Sequence, residues 1–174
     1  SEMDRLVAEV TAALDAYELP KAIDPIVAFV DLLNNWYIRR SRRRFWKSEN
    51  DADKAEAYGT LYAVLKRLAL LAAPVVPFVT EEIYRNLRLP DEPESVHLCD
   101  YPVATGRRDL VLERRMALAR RAVSMGRALR VMHNAKVRQP LPALHLVTRD
   151  PEERSILRDM EDIVRDELNV KQVV

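Results

Sequence analysis

Two tryptophans, a tyrosine and six cations crowd into residues 36–47, "WYIRRSRRRFWK". The cations are Arg39, Arg40, Arg42, Arg43, Arg44 and Lys47. A guanidinium grips phosphate oxygens through a planar fork. Aromatic faces beside such groups let single-stranded bases stack, at about 1–3 kcal/mol per base. The chemistry this set supports is polyanion binding. The rest of the chain offers less: His97, His133 and His145 have no pairwise metal-ligand spacing, and the lone Cys99 has no activating neighbour. Three glycines in 174 residues argue against a Gly-rich phosphate loop. No Ser/His/Asp arrangement has local support. The sequence therefore yields no catalytic residue and no metal ligand.

The positive charge is local. The chain carries +1 overall, and without those six cations it would carry −5. One basic face on an acidic body fits a nucleic acid. Two blander readings stand beside it: arginines complementing a helix C-terminus and pairing with neighbouring acids, or a nuclear localisation signal. At 100° per residue Arg39, Arg40 and Arg43 share an arc with Trp36, whereas Arg42 and Arg44 fall outside it. Trp36 is in phase with Leu33 and is expected in the core; Trp46 could face either way. A second basic stretch, "RALRVMHNAKVR" (127–138), reads as a solvated helix face.

Helices must position these groups. Met3, Leu6, Val7, Val10, Leu14 and Tyr17 predict a helix over 2–19 that Pro20 ends. A second runs from about Lys21 into the basic cluster, with Pro25 near its start. "SENDAD" (48–53) begins a third, whose stripe is Tyr58, Leu61, Tyr62, Leu65, Leu68, Ala69 and Ala72. "APVVPF" separates it from a fourth, 78–87. The Pro- and acid-rich stretch 88–106 reads as a connector. Beyond it a long helix, about 109–134, carries Val111, Leu118, Ala122, Met125, Leu129 and Met132. A strand at 144–148, a helix capped by Asp150 with Pro151 in its first turn, and a strand at "VKQVV" suggest a parallel pair with a right-handed crossover.

The expected fold is mostly α: an antiparallel helical bundle at 1–88, a linker at 89–106, and a long helix with a small βαβ appendage at 107–174. No apolar run is long enough to span a bilayer, and a single cysteine fits a reducing compartment. The first residue is not Met and the last residues stop inside a strand, so the chain reads as a piece of something longer.

"NWYIRRSRRRFW", "DKAEAYGTLYAVL" and "APVVPFVTEEIYRNL" closely resemble the anticodon-binding helical domain of isoleucyl-tRNA synthetases. "SVHLCDYP", "VRQPL" and "DELNVKQVV" are similar to the segments that follow in that family. The resemblance implies a cytoplasmic, monomeric parent that activates isoleucine with ATP and magnesium and transfers it to isoleucine-specific tRNA. The HIGH and KMSKS motifs, the editing domain and the cysteines of a C-terminal zinc module are absent from this sequence. The resemblance thus implies a non-catalytic part with no cofactor of its own, binding the anticodon stem and loop without a membrane. The tRNA-binding residues it implies are Trp36, Arg39, Arg40, Arg43, Arg44, Trp46 and Lys47. The alternative is a helical protein–protein module whose arginines engage an acidic partner; a third reading is a purely structural bundle.

Overall fold

The apolar stripes become helices, and local chemistry decides where each ends. The computed structural model describes residues 1–46 and 51–174. It falls into two compact units, Ser1–Arg108 and Asp109–Val174.

In the first unit, α1 (Glu2–Asp15) buries Met3, Leu6, Val7, Val10 and Ala13. It stops short of Pro20 because Tyr17 turns left-handed, with φ 57°, and points into solvent. Tyr17 therefore leaves the stripe expected of it. Pro20 opens α2 (Leu19–Leu32) instead of closing α1, since a missing N–H costs nothing in a first turn. Pro25 lies inside α2 instead of at its start, and it removes the bond that a residue there would give to the Lys21 carbonyl. A π-helical turn, Leu33–Ile38, continues α2, and α3 (Arg42–Trp46) follows.

The helix α4 (Asp51–Ala72) is apolar on two sides. Leu71 and Ala72 join Val7, Val10, Ile26 and Phe29 in the main core. Ala69, with Ala73 just beyond the helix, meets Tyr84 of α5 (Pro77–Leu87) and Val96 in a short 3-10 turn, Val96–Leu98. Each large aliphatic or aromatic side chain so buried is worth about 1.5–3 kcal/mol.

The stretch 89–106, expected as linker, packs within this first unit. Its polar residues serve as partners for backbone groups and charges. The Tyr84 hydroxyl donates to the Pro93 carbonyl (3.0 Å), and Glu81 accepts from Ser95 Oγ and Val96 N (both 2.9 Å). Lys66 pairs with Glu92, and Tyr101 donates to the Leu71 carbonyl (3.3 Å). Asp4, 4% exposed, accepts from the backbone N–H groups of Thr105 and Gly106 (both 2.8 Å), Thr105 Oγ1 (3.1 Å) and Arg67 (3.0 Å). Those donors, the Thr105 N–H foremost, bring its pKa from 3.8 down to about 2.

In the second unit, α6 (Leu110–Met132) starts under an Asp109 cap, whose carboxylate accepts from Leu112 N (2.9 Å). Its inner face is Ala119, Ala122, Val123, Gly126 and Arg130. The expected stripe is corrected: Val111, Met125, Leu129 and Met132 are exposed. Small residues decide the inner face here because they admit close approach. A Cβ placed on Gly126 would lie 2.4 Å from Leu168 Cδ1.

The strands β1 (Leu141–Leu144) and β2 (Val170–Val173) pair in parallel, with Leu141 opposite Val170 and Ala143 opposite Gln172. β1 begins earlier than the predicted 144–148. Pro142 is tolerated inside β1 because a strand sends alternate N–H groups to each side. Leu141 N donates to the Asn169 carbonyl (3.1 Å), and Pro142 falls on the side facing away from the partner. The crossover is two helices rather than the one predicted: α7 (Pro151–Asp159), capped by Asp150 accepting from Glu152 N (2.8 Å), and α8 (Glu161–Leu168), with a break at Met160.

Candidate nucleic-acid interface

The basic cluster is carried by the π turn, the residues Arg39 and Arg40, a buried Ser41, and α3. A π turn has more residues per turn than an α-helix. It lets the consecutive residues Trp36, Tyr37 and Ile38 all be half-buried, beside the fully buried Leu33. Tyr37 and Ile38 pack on the main core, and the Tyr37 hydroxyl donates to the Ala57 carbonyl (3.3 Å).

This wider turn corrects the constant phase of 100° per residue. Arg42 and Arg43 are both exposed, and among the described residues neither has a carboxylate partner. Arg44 turns inward. Its guanidinium holds Asp53 Oδ1 at 2.7–2.8 Å and reaches the Asp53 carbonyl (3.3 Å). The hydrogen bond to Asp53 raises its pKa above the ordinary arginine value, against the pull of burial. Arg39 and Arg40 are half-buried. Arg39 Nε donates to the Asn35 carbonyl (2.9 Å), and the Arg40 guanidinium lies 5.1 Å from the centre of the Trp36 ring, a cation–π contact.

The aromatic residues divide likewise. Trp36 is half-buried, and its indole N–H is shielded from solvent with no acceptor among the described residues. Such a donor is costly to leave unpaired. Trp46 is 68% exposed. Phe45, which sequence reasoning passed over, is the anchor: it is 4% exposed, packs on Tyr58 with ring centres 5.0 Å apart, and holds Trp46 edge-on at 6.0 Å. The signal for it was present, a lone aromatic between Arg44 and Trp46. Lys47 lies outside the described residues.

The arrangement brings together an exposed Arg42–Arg43 pair, an Arg40–Trp36 stack and an outward Trp46. It can grip phosphates and offer a ring to a base. Among the described residues no group of three or more metal-ligating side chains exists, and no helix is long and apolar enough to cross a membrane.

A helical module with one basic, aromatic-bearing face is the class this geometry defines. The family of anticodon-binding domains of tRNA ligases matches residues 1–145, and the chain belongs to that family. It is 57% identical over 175 residues to the isoleucine–tRNA ligase of Treponema denticola, covering 100% of this chain and 16% of that protein. It is 59% identical over 172 residues to that of Treponema pallidum (98% and 16%), and 46% over 174 residues to that of Protochlamydia amoebophila (99% and 17%). The chain thus spans about a sixth of the length of these relatives.

Proposed function

We propose that this chain recognises the anticodon stem and loop of isoleucine tRNA as part of an isoleucine–tRNA ligase. The observation that carries the reading is the outward Arg42, Arg43 and Trp46 in a chain of the anticodon-binding family. Anticodon bases can splay from a single-stranded loop and are read by stacking and edge contacts. Phosphate contacts set the register without reading sequence. In this reading Arg43 and Lys47, with Arg42, hold the backbone. Arg39, Arg40 and Trp36 form the inner wall. Trp46 stacks on a base, and Arg44 keeps the turn in shape through Asp53. The whole ligase is read as a monomeric cytoplasmic enzyme using ATP and magnesium, with no step of that chemistry assigned to residues of this chain.

Titration of the 174-residue chain with isoleucine tRNA at several salt concentrations tests this. About four displaced counterions give a slope of log K against log salt of roughly −3. Arg43→Ala with Trp46→Ala should weaken binding at least tenfold, from loss of one stacked base at about 1–3 kcal/mol and one phosphate contact. Circular dichroism should be unchanged, because both side chains are exposed. Unaltered affinity in a folded double variant would overturn the assignment.

A further inference from the structure

The second basic stretch has a built support. Arg130 is 5% exposed at the end of α6, yet among the described residues no carboxylate meets it. Its guanidinium donates to three carbonyls instead: Leu168 (2.6 Å), Lys136 (2.9 Å) and Asn169 (3.2 Å). Two of these carbonyls end α8, where the helix dipole is negative and a cation is favoured. Asn169 completes the tie. It adopts a left-handed φ of 49°, and its side-chain amide donates to the Val137 and Arg138 carbonyls (both 3.1 Å). The buried Arg130 and the half-buried Asn169 therefore fix the 134–138 loop by its backbone, with Ala135 N donating to the Arg130 carbonyl (2.8 Å).

The side chains that this loop presents are Lys136 and Arg138, both exposed. Among the described residues neither has an acidic partner. On the supporting helices Arg127 pairs with Glu167 (2.6 Å). Arg130, Lys136 and Arg138 thus bring three positive charges, and among the described residues none of the three is in an ion pair. One of them is held in a low-dielectric site, where its field is poorly screened. The loop from Asn134 to Pro140 has no aromatic residue, so it has nothing on which a base could stack.

We infer that the 134–138 loop is a second RNA-contacting site, which binds the phosphodiester backbone and does not read bases. The inference rests on the proposed RNA-binding role and places a further contact in the second unit. The buried Arg130 and the left-handed cap Asn169 fix the backbone from which Lys136 and Arg138 project. An acidic protein segment is the competing ligand, but the exposed apolar side chain of the loop, Val137, is small and is not the aromatic anchor that protein interfaces favour.

The test uses the 174-residue chain with Lys136→Ala and Arg138→Ala, isoleucine tRNA, and the same tRNA with a changed anticodon. Removing two phosphate contacts should make the log K–log salt slope shallower by about 1.5–2. Affinity at 0.1 M salt should fall on the order of tenfold or more, with the loss vanishing towards 1 M. The loss should be the same for both tRNAs, since positioning contacts are blind to sequence. Arg43→Ala with Trp46→Ala is the parallel arm. If that variant weakens binding while the loop variant keeps the parent slope, the loop inference fails and the anticodon reading stands. If the loop variant loses affinity for one tRNA only, the loop reads bases and the inference fails. If the unaltered chain binds neither tRNA, both readings fail.

Discussion

Replacing Gly126 by alanine sets two known effects against each other within one contact. In a helix interior, alanine is favoured over glycine by about 1 kcal/mol. At Gly126 the new Cβ would lie 2.4 Å from Leu168 Cδ1 and 3.0 Å from Cδ2. Relief requires roughly an ångström of movement, and Leu168 is only 1% exposed, so it cannot swing into solvent. Overpacking of this kind costs about 1–3 kcal/mol. The steric term should win, leaving a net loss of up to about 2 kcal/mol in the second unit. Gly59, inside α4, is the control: a Cβ there meets nothing within 4 Å, so Gly59→Ala should stabilise by up to about 1 kcal/mol. The assay must separate the units. Every Trp and Tyr lies before residue 109, so intrinsic fluorescence reports only the first unit. Peptide-resolved hydrogen exchange reports both. The expected result is faster exchange across α6 and α8 in Gly126→Ala and slower exchange across α4 in Gly59→Ala. Slower exchange in Gly126→Ala would refute the claim that close approach at this glycine defines the inner face of α6.

Asp4 predicts an acid-sensitive tie. Its pKa falls from 3.8 to about 2 on folding, so the unfolded chain binds more protons between those values. The stabilisation is complete above pH 4 and is lost as pH drops towards 2; Asp4→Asn should flatten that part of the stability–pH curve, read by urea unfolding followed through tryptophan fluorescence. An unchanged curve would mean that Thr105 and Gly106 do not hold the carboxylate in solution. Arg44 and Arg43 should behave oppositely. Arg44→Ala should lower the unfolding midpoint by removing the Arg44–Asp53 ion pair while changing RNA affinity little, and Arg43→Ala should weaken RNA binding without shifting the midpoint. Both are read by thermal melts beside tRNA titrations, and matching profiles for the two variants would contradict the division of roles.

The helices were legible because their stripes are strong, and the Asp150–Pro151 start of α7 was legible because its capping chemistry is local. What escaped depends on partners distant in sequence. The inner face of α6 follows from Leu168 meeting Gly126, which no periodicity in α6 discloses. The stretch 89–106 read as a connector because its acids and prolines are turn formers, and Glu81, Lys66 and Asp4 supply bonds that fix it. At the candidate interface, residue types announced the chemistry, but the π turn reset the helical phase. That reset separated an outward Arg42 and Arg43 from an inward Arg44, which a constant angular step could not show. Pro20 misled because a missing N–H is a defect only where a bond was due.

The most direct measurement of the central claim is a paired titration of the unaltered chain with isoleucine tRNA and with the same tRNA altered only at the anticodon bases. If Trp46 and the arginines around it engage the anticodon loop, the altered tRNA should bind at least about fivefold more weakly, the loss of one base contact worth about 1 kcal/mol. Equal affinity for the two, with strong salt dependence retained, would show that the chain grips RNA without recognising its anticodon.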